Sequence, residues 1–460
     1  MLIVDTDDGR VVAAGSERHP VEGEDGARQT DPRQWERSLA TALAQTGLAD
    51  EVVAVSIAAQ QHGLVVLDGA GRPLCPAPLW NDTRSAPDAR AVVDAIGGPA
   101  AAASRVGSVL SAAFTVAHWA WLRRTQPEVA AAARHVLLPH DYLSFRLTGK
   151  PSTDRSDVSG TGWWSPADGD YAGDVLALGP VQLDLDHLPP VLPSDGVAGE
   201  VTANLAQDFG LRPGTPVACG AGDNAAAGLA LDLAPGEAAI SLGTSGTVYA
   251  IATEPSADPT GTVAGFASAD GRFLPLACTI NATLAVDRTC DWLGLEREDV
   301  VPSDGVVFLP WLGGERTPNV PQASGTVTGL RYSTDRRALL QAAYEGAVAT
   351  LLDAESALNQ WAPQDASSPL LLIGGGARGR AWQETVLRLS GRPVVVVQLA
   401  ELVAYGAAIQ AAALVAGSPV AAVARSWPGR QGQRLEPVQR DHAAMARISA
   451  WRQTVLASLG

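Results

Sequence analysis

The run GAGDNAAAG, from Gly220 to Gly228, strongly constrains the fold of this chain. The preceding TPVAC has the pattern of a buried strand and the following alanines predict a helix, so Asp223 lies at a strand-to-helix junction. An isolated carboxylate among Gly and Ala is suited to accept a proton from an attacking hydroxyl group. Asp223 could instead cap the helix N-terminus, and since a cap fixes its carboxylate the two roles are compatible.

Two glycine turns follow in the second half of the chain. SLGTSGTVYA, from Ser241 to Ala250, predicts a strand, a tight turn and a second strand. LLLIGGGARGRAWQETVLRLSGRPVVVV predicts a strand, a glycine turn at Gly374–Gly376, a helix and another strand. Such turns present bare backbone N–H groups to a phosphate. Neither GxGxxG nor GxxxxGK[ST] occurs, which disfavours a Rossmann dehydrogenase and a Walker-type NTPase.

Strand-like and helix-like segments alternate along the chain, which predicts the α/β class. The N-terminal MLIVDTDDGRVV predicts a strand, a DDG turn and a second strand, and VVAVSIAAQ at 52–60 predicts a buried strand. DPRQWERSLATALAQTG has an Asp N-cap, helical periodicity and a Gly stop. The Ala-rich stretch 94–135 predicts helices.

Composition excludes several function classes. Acidic residues outnumber Lys plus Arg by 49 to 33, giving a net charge of −16. Binding to nucleic acid or to anionic membrane surfaces needs a basic face, so neither is expected. The four cysteines have no CxxC or metal spacing, no run of about eighteen apolar residues occurs, and the N-terminus lacks the features of a signal peptide. We therefore expect a cytoplasmic protein with reduced cysteines.

The length predicts more than one domain, since 460 residues exceed a single compact core. The stretch LDLAPGEAAI at 231–240 is the best boundary, which predicts domains at 1–232 and 233–460. The two halves look like distant repeats, because LIVDTDDGRVVAAG corresponds to the second strand of AISLGTSGTVYAIATEP and the strand after it.

Ten segments in order carry a family resemblance. They are AQQHGLVVLD at 59–68, PLWNDTR at 78–84, LPHDYLSFRLTG at 138–149, TDRSDVSGTGWW at 153–164, CGAGDNAAAG at 219–228, SLGTSGTVYA at 241–250, FLPWLGGERTPN at 308–319, AAYEGAV at 342–348, IGGGARGRAWQE at 373–384 and ELVAYGAAIQAA at 401–412. With them the chain resembles a carbohydrate kinase of the FGGY family, and within it most resembles members that phosphorylate D-xylulose.

The resemblance implies two actin/hexokinase-like (ribonuclease H-like) domains with a cleft between them, the first binding sugar and the second nucleotide. It also implies that ATP, with Mg²⁺, phosphorylates the terminal hydroxyl of D-xylulose to give D-xylulose 5-phosphate. A kinase of another sugar (gluconate, ribulose or glycerol) and a sugar-binding paralogue that has lost the chemistry remain alternatives. The sequence leaves both a monomer and a homodimer open.

The resemblance assigns roles to residues in the first half. Asp223 would be the general base, and Gln61, His62 and Asn224 would bind the sugar. A polyol needs several directional donors and acceptors, which Gln, His and Asn provide. A lone His is more often a structural residue, but the QHG setting after a predicted strand favours a ligand contact for His62.

In the second half, the resemblance places ATP on the two glycine turns. The residues that would line its phosphates and adenosine are Gly243, Thr244, Ser245, Gly375, Gly376 and Ala377. The alternatives are an ordinary hairpin turn for the first three and a helix N-terminal turn for the others.

Other polar and aromatic residues have two interpretations. Asp82 and Arg84 in WNDTR form either an internal ion pair or part of the sugar site. Trp80, Trp163 and Trp164 could stack on a sugar, although large aromatic residues usually pack in a core. Where most family members have a lysine, in the segment FTVAHWAWL, this chain has His118, which we expect to be tolerated.

The start of the chain departs from the family pattern. Family members begin with a strand and a DxGT-type loop that binds phosphate and whose Asp helps to hold Mg²⁺. This chain opens just after the place where that loop should end, so the expected metal ligand lies outside the sequence, with Asp223 as another candidate. We expect a misplaced start or a trimmed chain, whose first sheet lacks its central strand.

Overall fold

The computed structural model describes residues 1–459, which form two compact units. Unit 1 comprises Met1–Asp232, Thr253–Leu274 and Glu401–Gly429. Unit 2 comprises Leu233–Ala252, Pro275–Ala400 and Arg430–Gly460. Each unit is thus built from three separate segments, and the chain first passes from one to the other after Asp232. The division into domains 1–232 and 233–460 stays a prediction.

Strands and helices alternate through both units. Within residues 1–459 the strands are β1 (Leu2–Val4), β2 (Val11–Ala14), β3 (Gln29–Thr30), β4 (Ala58–Ala59), β5 (Val65–Leu67), β6 (Ala77–Pro78), β7 (His135–Leu137), β8 (Thr153–Asp154), β9 (Trp164–Ser165), β10 (Asp170–Tyr171), β11 (Val191–Leu192), β12 (Val197–Glu200), β13 (Pro216–Ala218), β14 (Ala221–Gly222), β15 (Ala238–Leu242), β16 (Gly246–Ala250), β17 (Val263–Ala267), β18 (Phe273–Thr279), β19 (Val307–Leu309), β20 (Thr326–Thr328), β21 (Leu370–Ile373), β22 (Val394–Val397) and β23 (Gly432–Leu435).

The helices are α1 (Pro32–Thr46), α2 (Ala86–Ile96), α3 (Pro99–Val106), α4 (Thr115–Thr125), α5 (Pro127–Ala132), α6 (Pro139–Thr148), α7 (Arg155–Val158), α8 (Gly173–Leu176), α9 (Ala203–Phe209), α10 (Asp223–Ala230), α11 (Thr283–Leu293), α12 (Arg336–Leu358), α13 (Arg380–Ser390), α14 (Leu402–Ala416), α15 (Val420–Ser426) and α16 (His442–Leu459). Short 3-10 turns cover Ala49–Glu51, Leu185–His187 and Gly375–Arg378.

Local signals fix several of these elements. Helix α1 begins after Asp31, whose side chain accepts a hydrogen bond from the Arg33 amide, and ends at Gly47 with a φ of 67°, as predicted. The N-terminal hairpin β1–β2, the helices between residues 94 and 135, and the strand–turn–helix–strand unit from β21 to β22 are also confirmed.

The prediction of one strand over 52–60 is wrong in extent. Only β4 and an isolated parallel bridge between Val55 and Val217 are paired within this run. An apolar cavity of about 410 Å³ lies beside it and is lined by Leu2, Ile3, Val4, residues 52–58 and part of α14. The run is apolar because it borders this cavity and the core, but its pairing is limited to two short stretches.

Both units contain parallel and antiparallel strand pairs, but among the described residues only unit 2 has an extended sheet. In unit 2 the strands β18-β16-β15-β21-β22-β23 lie side by side, with β15–β21 and β21–β22 parallel and the outer pairs β16–β18 and β22–β23 antiparallel. In unit 1, β1–β2 and β12–β13 are antiparallel, whereas β4–β14 is parallel. The correspondence of the two halves as distant repeats stays a prediction.

Helices α10 and α14 of unit 1 pack with their backbones almost in contact. A Cβ atom placed on Gly406 in α14 would lie 1.9 Å from the carbonyl oxygen of Ala226 in α10. Only glycine permits this approach, which sets the position of α10. Around it, Ala225, Ala226 and Ala407 are buried.

Among the described helices, none is by itself both long and apolar enough to cross a membrane. Helices α14 and α15 meet that length and composition only as a pair, with a bend of 114° between them.

Candidate active site

Asp223 is the first residue of α10, directly after the short strand β14. The N-cap is Gly222, so the interpretation of Asp223 as the cap is corrected by one position. Its Oδ1 accepts hydrogen bonds from the Asn224 amide at 2.7 Å and from Asn224 Nδ2 at 2.9 Å. Asp223 and Asn224 are partly exposed, whereas the flanking Gly222 and Ala225 are buried.

The environment of Asp223 makes its carboxylate more basic. Desolvation raises its pKa to about 6, and the hydrogen bonds from Asn224 only partly oppose this rise. A carboxylate with such a pKa is ionised at neutral pH, yet it binds a proton more tightly than an exposed Asp does. Asp223 therefore has the accessibility and the basicity of a general base.

Gln61 lies beside the segment that precedes Asp223. Its side chain is buried, and Nε2 donates to the backbone oxygen of Ser156 at 3.2 Å. A Cβ atom placed on Gly222 would lie 2.8 Å from Gln61 Cγ. The structure therefore brings Gln61 to the residue next to Asp223, although the two are far apart in the sequence.

His62 has a backbone conformation that non-glycine residues rarely adopt, with a φ of 72°. Its Nδ1 lies 2.6 Å from the carbonyl oxygen of Gly160, and since a carbonyl only accepts, Nδ1 carries the proton. The ring contacts Phe114 and Phe266, at centroid distances of 4.8 and 5.6 Å. The ring orientation is thus fixed, and the unusual backbone marks a constrained position.

Sequence reasoning missed a buried ionic cluster behind Asp223. His140 Nδ1 lies 2.6 Å from Asp157 Oδ2, and His140 Nε2 lies 3.2 Å from Asp141 and 3.7 Å from Asp154. All four side chains are almost fully buried. Burial alone would lower the pKa of His140, but the three carboxylates raise it, so the imidazole is a cation at neutral pH.

The His140 ring of this cluster packs against Gly220, three residues before Asp223. Gly220 has a φ of 86°, and a Cβ atom there would lie 2.5 Å from His140 Cδ2. A histidine and three Asp in the segments LPHDYL and TDRSD are the only sequence signal of the cluster. That these four side chains are buried, and therefore must pair with one another, is apparent only from the structure.

In unit 2, the turn Gly243–Ser245 joins β15 to β16. Its carbonyl groups are held by the start of α11, because the Gly243 oxygen accepts from the Thr283 amide at 3.1 Å and from Thr283 Oγ1 at 2.8 Å. Within residues 1–459 the amides of Thr244 and Ser245 donate no hydrogen bond. The turn thus presents two unpaired N–H groups, as an anion site requires.

The second turn of unit 2 lies next to the first. Strands β15 and β21 are parallel neighbours, so the turns that follow them meet at the same edge of the sheet. A Cβ atom on Gly376 would lie 3.0 Å from Leu242 Cβ, whereas one on Gly375 would meet no atom within 4 Å. Gly376 and Ala377 are buried and Gly375 is exposed. The structure therefore brings together the six residues predicted to bind ATP.

Of the other candidates, Asp82 and Arg84 form the predicted internal ion pair, and Trp163 and Trp164 pack in the core. Asp82 is buried and pairs with Arg84 at 2.6 Å, and Arg84 lies 4.3 Å from the centre of the Trp121 ring. Burial would raise the pKa of Asp82, but hydrogen bonds from Arg84 and the Arg28 amide lower it. Trp163 and Trp164 are core residues, whereas Trp80 is exposed.

His118 is fully buried, and its Nδ1 lies 3.2 Å from Ser85 Oγ. Burial lowers the pKa of His118 to about 4, so it is neutral at physiological pH.

Within residues 1–459 no group of three or more His, Cys, Asp or Glu side chains is arranged to hold a metal ion. The described residues therefore do not form a site that would hold a cation with protein ligands alone. Mg²⁺ that arrives on ATP needs only one or two carboxylates, because phosphates and water complete its coordination.

Comparison with known proteins gives a consistent result. The description "FGGY family of carbohydrate kinases, N-terminal domain" matches residues 1–230, and the C-terminal domain of the same family matches residues 238–415. The chain is 56% identical over 449 residues to a protein named xylulose kinase from Streptomyces coelicolor, covering 97% of this chain and 92% of that protein.

A second relative named xylulose kinase, from Streptomyces rubiginosus, is 55% identical over 451 residues, covering 97% of this chain and 92% of the relative. Among solved structures, the xylulose kinase from Bifidobacterium adolescentis has a TM-score of 0.85 at 32% identity, covering 98% of this chain and 96% of the other.

Proposed function

The chain belongs to the FGGY family of carbohydrate kinases, and we propose that it transfers the γ-phosphate of ATP to D-xylulose, giving D-xylulose 5-phosphate. It is a carbohydrate kinase with the two-domain fold of that family. One observation carries the choice of substrate, namely the 56% identity over 97% of the chain to a relative named xylulose kinase.

Asp223 is the general base of the proposed reaction. Its carboxylate takes the proton of the terminal sugar hydroxyl while that oxygen attacks the γ-phosphorus in line, and the bond to the β-phosphate oxygen breaks to release ADP. The raised pKa of Asp223, about 6, supports this role because the base is ionised at neutral pH and still accepts a proton readily.

The sugar is held by Gln61, His62 and Asn224. Asn224 Nδ2 donates to Asp223, so the amide fixes the carboxylate and leaves its own oxygen as an acceptor for a hydroxyl. The positive φ of His62 and the bond from its Nδ1 to Gly160 hold the imidazole in one orientation. Fixed polar groups of this kind give directional recognition of a polyol.

ATP is assigned to the two turns of unit 2. The unpaired amides of Thr244 and Ser245 contact phosphate oxygens, and the open space beside Gly375 accommodates the nucleotide. Mg²⁺ bound to ATP would neutralise charge on the β- and γ-phosphates. We further propose a cytoplasmic location, since the reaction consumes ATP.

The test is release of ADP by the purified chain with Mg²⁺ and ATP, comparing D-xylulose with gluconate, ribulose and glycerol at equal concentrations. We expect the highest kcat/KM with D-xylulose. A higher kcat/KM with another of these sugars would keep the kinase and overturn the substrate. Tight binding of D-xylulose in calorimetry without ADP release would instead indicate a sugar-binding paralogue.

A further inference from the structure

Ser156, in α7, is bonded to both parts of the candidate sugar site. Its Oγ accepts a hydrogen bond from the Gly222 amide at 3.1 Å, and its backbone oxygen accepts from Gln61 Nε2 at 3.2 Å. Gly222 is the residue before the base Asp223, and Gln61 is assigned to the sugar. Ser156 is itself completely buried, so it does not contact the solution from which substrate comes.

The segment that carries Ser156 is held rigidly. Asp154 accepts from the amides of Ser156 and Asp157, at 2.7 and 3.0 Å. Asp157 is bonded to His140, whose ring lies against Gly220. Ser156 therefore cannot shift without breaking buried charge-assisted bonds, which are expensive to leave unpaired.

We propose that Ser156 is a positioning residue that holds the Asp223 carboxylate at a fixed place relative to the sugar bound by Gln61. The inference rests on the proposed function, because it treats Asp223 as the base and Gln61 as a sugar ligand. Its physical reason is that a base must lie within hydrogen-bond reach of the proton it removes, and a displacement of about 1 Å can cost about 100-fold in rate.

The two bonds of Ser156 can be separated by substitution. Ser156→Ala removes the hydroxyl that holds Gly222 but keeps the backbone oxygen that holds Gln61. We therefore expect kcat to fall by about tenfold or more, while KM for D-xylulose changes by less than about twofold. Ser156→Thr keeps a hydroxyl and should recover most of kcat.

Ser144→Ala is the matched control. Ser144 is also completely buried, but within residues 1–459 its hydroxyl has no hydrogen-bond partner. All variants are compared per folded molecule, with the folded fraction taken from circular dichroism. We expect Ser144→Ala to have the kcat of the wild type.

Three results would overturn the inference. Equal kcat for Ser156→Ala and Ser144→Ala per folded molecule would show that the hydroxyl only stabilises the fold. A rise in KM with unchanged kcat would place Ser156 in sugar binding alone, and failure of Ser156→Thr to exceed Ser156→Ala would remove the hydroxyl from the argument. Asp223→Asn is assayed alongside to test the proposed base separately. Near-normal turnover of Asp223→Asn would refute Asp223 as the base. An inactive Asp223→Asn together with a normal Ser156→Ala would refute only the positioning role of Ser156.

Discussion

The imidazole of His140 and the carboxylate of Asp157 form a hydrogen bond of 2.6 Å, with both side chains completely buried. Two further carboxylates, those of Asp141 and Asp154, face the same imidazole. Buried carboxylates are costly without a partner, so loss of the His140 cation is expected to destabilise this part of unit 1.

We expect His140→Gln to lower the free energy of unfolding by about 3–5 kcal/mol, because it leaves buried carboxylates without their partner. The carboxylates raise the folded-state pKa of His140 from the usual 6.5 to about 10, so its stabilisation is lost as the pH rises through the folded value. Burial also raises the pKa of Asp141 to about 7 and that of Asp157 to about 6, so the pairing weakens when these carboxylates gain protons at lower pH. Calorimetric Tm values should therefore differ most between wild type and variant near pH 7–8, and less toward pH 10.

His118→Gln is the control for that measurement. His118 is equally buried but neutral, since burial lowers its pKa to about 4. Its effect on Tm should stay constant between pH 7 and 10. A His140→Gln effect that is equally constant would contradict the assignment of His140 as the cation.

Asp223→Asn should lower kcat by about 100- to 10,000-fold, because it removes the proton acceptor while keeping the shape of the side chain. D-Xylulose affinity, measured by titration calorimetry, should change little. Asp208→Asn, an exposed carboxylate in α9, is the control and should be fully active. Turnover near the wild-type value in Asp223→Asn would exclude Asp223 as the base.

The pH dependence of kcat/KM should reveal the pKa of Asp223. Desolvation raises this pKa to about 6, and the base acts only when ionised. In steady-state measurements from pH 5 to 8, kcat/KM should therefore rise with a midpoint near pH 6 and be constant at higher pH. If kcat/KM instead rose with a midpoint near pH 4, the Asp223 carboxylate would be fully solvated.

Gly375→Val should raise KM for ATP by about tenfold, equivalent to about 1.4 kcal/mol, with a smaller effect on KM for the sugar. The fold should tolerate the change, because a Cβ atom on Gly375 meets no atom within 4 Å. Gly179→Val, at an equally open and exposed glycine in unit 1, controls for the effect of an added side chain. An unchanged KM for ATP would count against the nucleotide assignment.

Thr283→Val should raise KM for ATP by about three- to tenfold. It removes the hydroxyl that holds the Gly243 carbonyl at 2.8 Å, a bond with a net value of about 0.5–1.5 kcal/mol. Thr289→Val removes a similarly buried hydroxyl from the same helix, bonded to Ala285, and should leave KM unchanged. Equal effects of the two changes would indicate that only helix stability is being measured.

The elements that sequence predicts well are those with local causes. The ends of α1 follow from Asp31 and Gly47, and the hairpin β15–β16 follows from its glycine turn. The run 52–60 was mispredicted in extent because the pairing of a strand depends on which neighbours lie beside it. The approach of Gln61 to Gly222 depends likewise on contacts between residues far apart in the chain.

Some residues of the candidate site can likewise be recognised from the local sequence, and others only from the structure. Asp223 and the glycine turns are recognisable because their residue types are unusual where they stand. Ser156 and His140 are ordinary residue types in the sequence, and their importance comes from complete burial and from partners 66 and 17 residues away. No local pattern encodes such contacts.

The close approach of Gly406 to Ala226 has a consequence for genetics. Any larger residue at position 406 must displace α10, whose first residue is Asp223. In a saturation library selected by growth on a substrate of the enzyme, position 406 should therefore tolerate as few replacements as position 223. Such a selection would map two inactivating positions, of which only position 223 belongs to the proposed catalytic site. Second-site suppressors of Gly406→Ala should arise at small residues of α10.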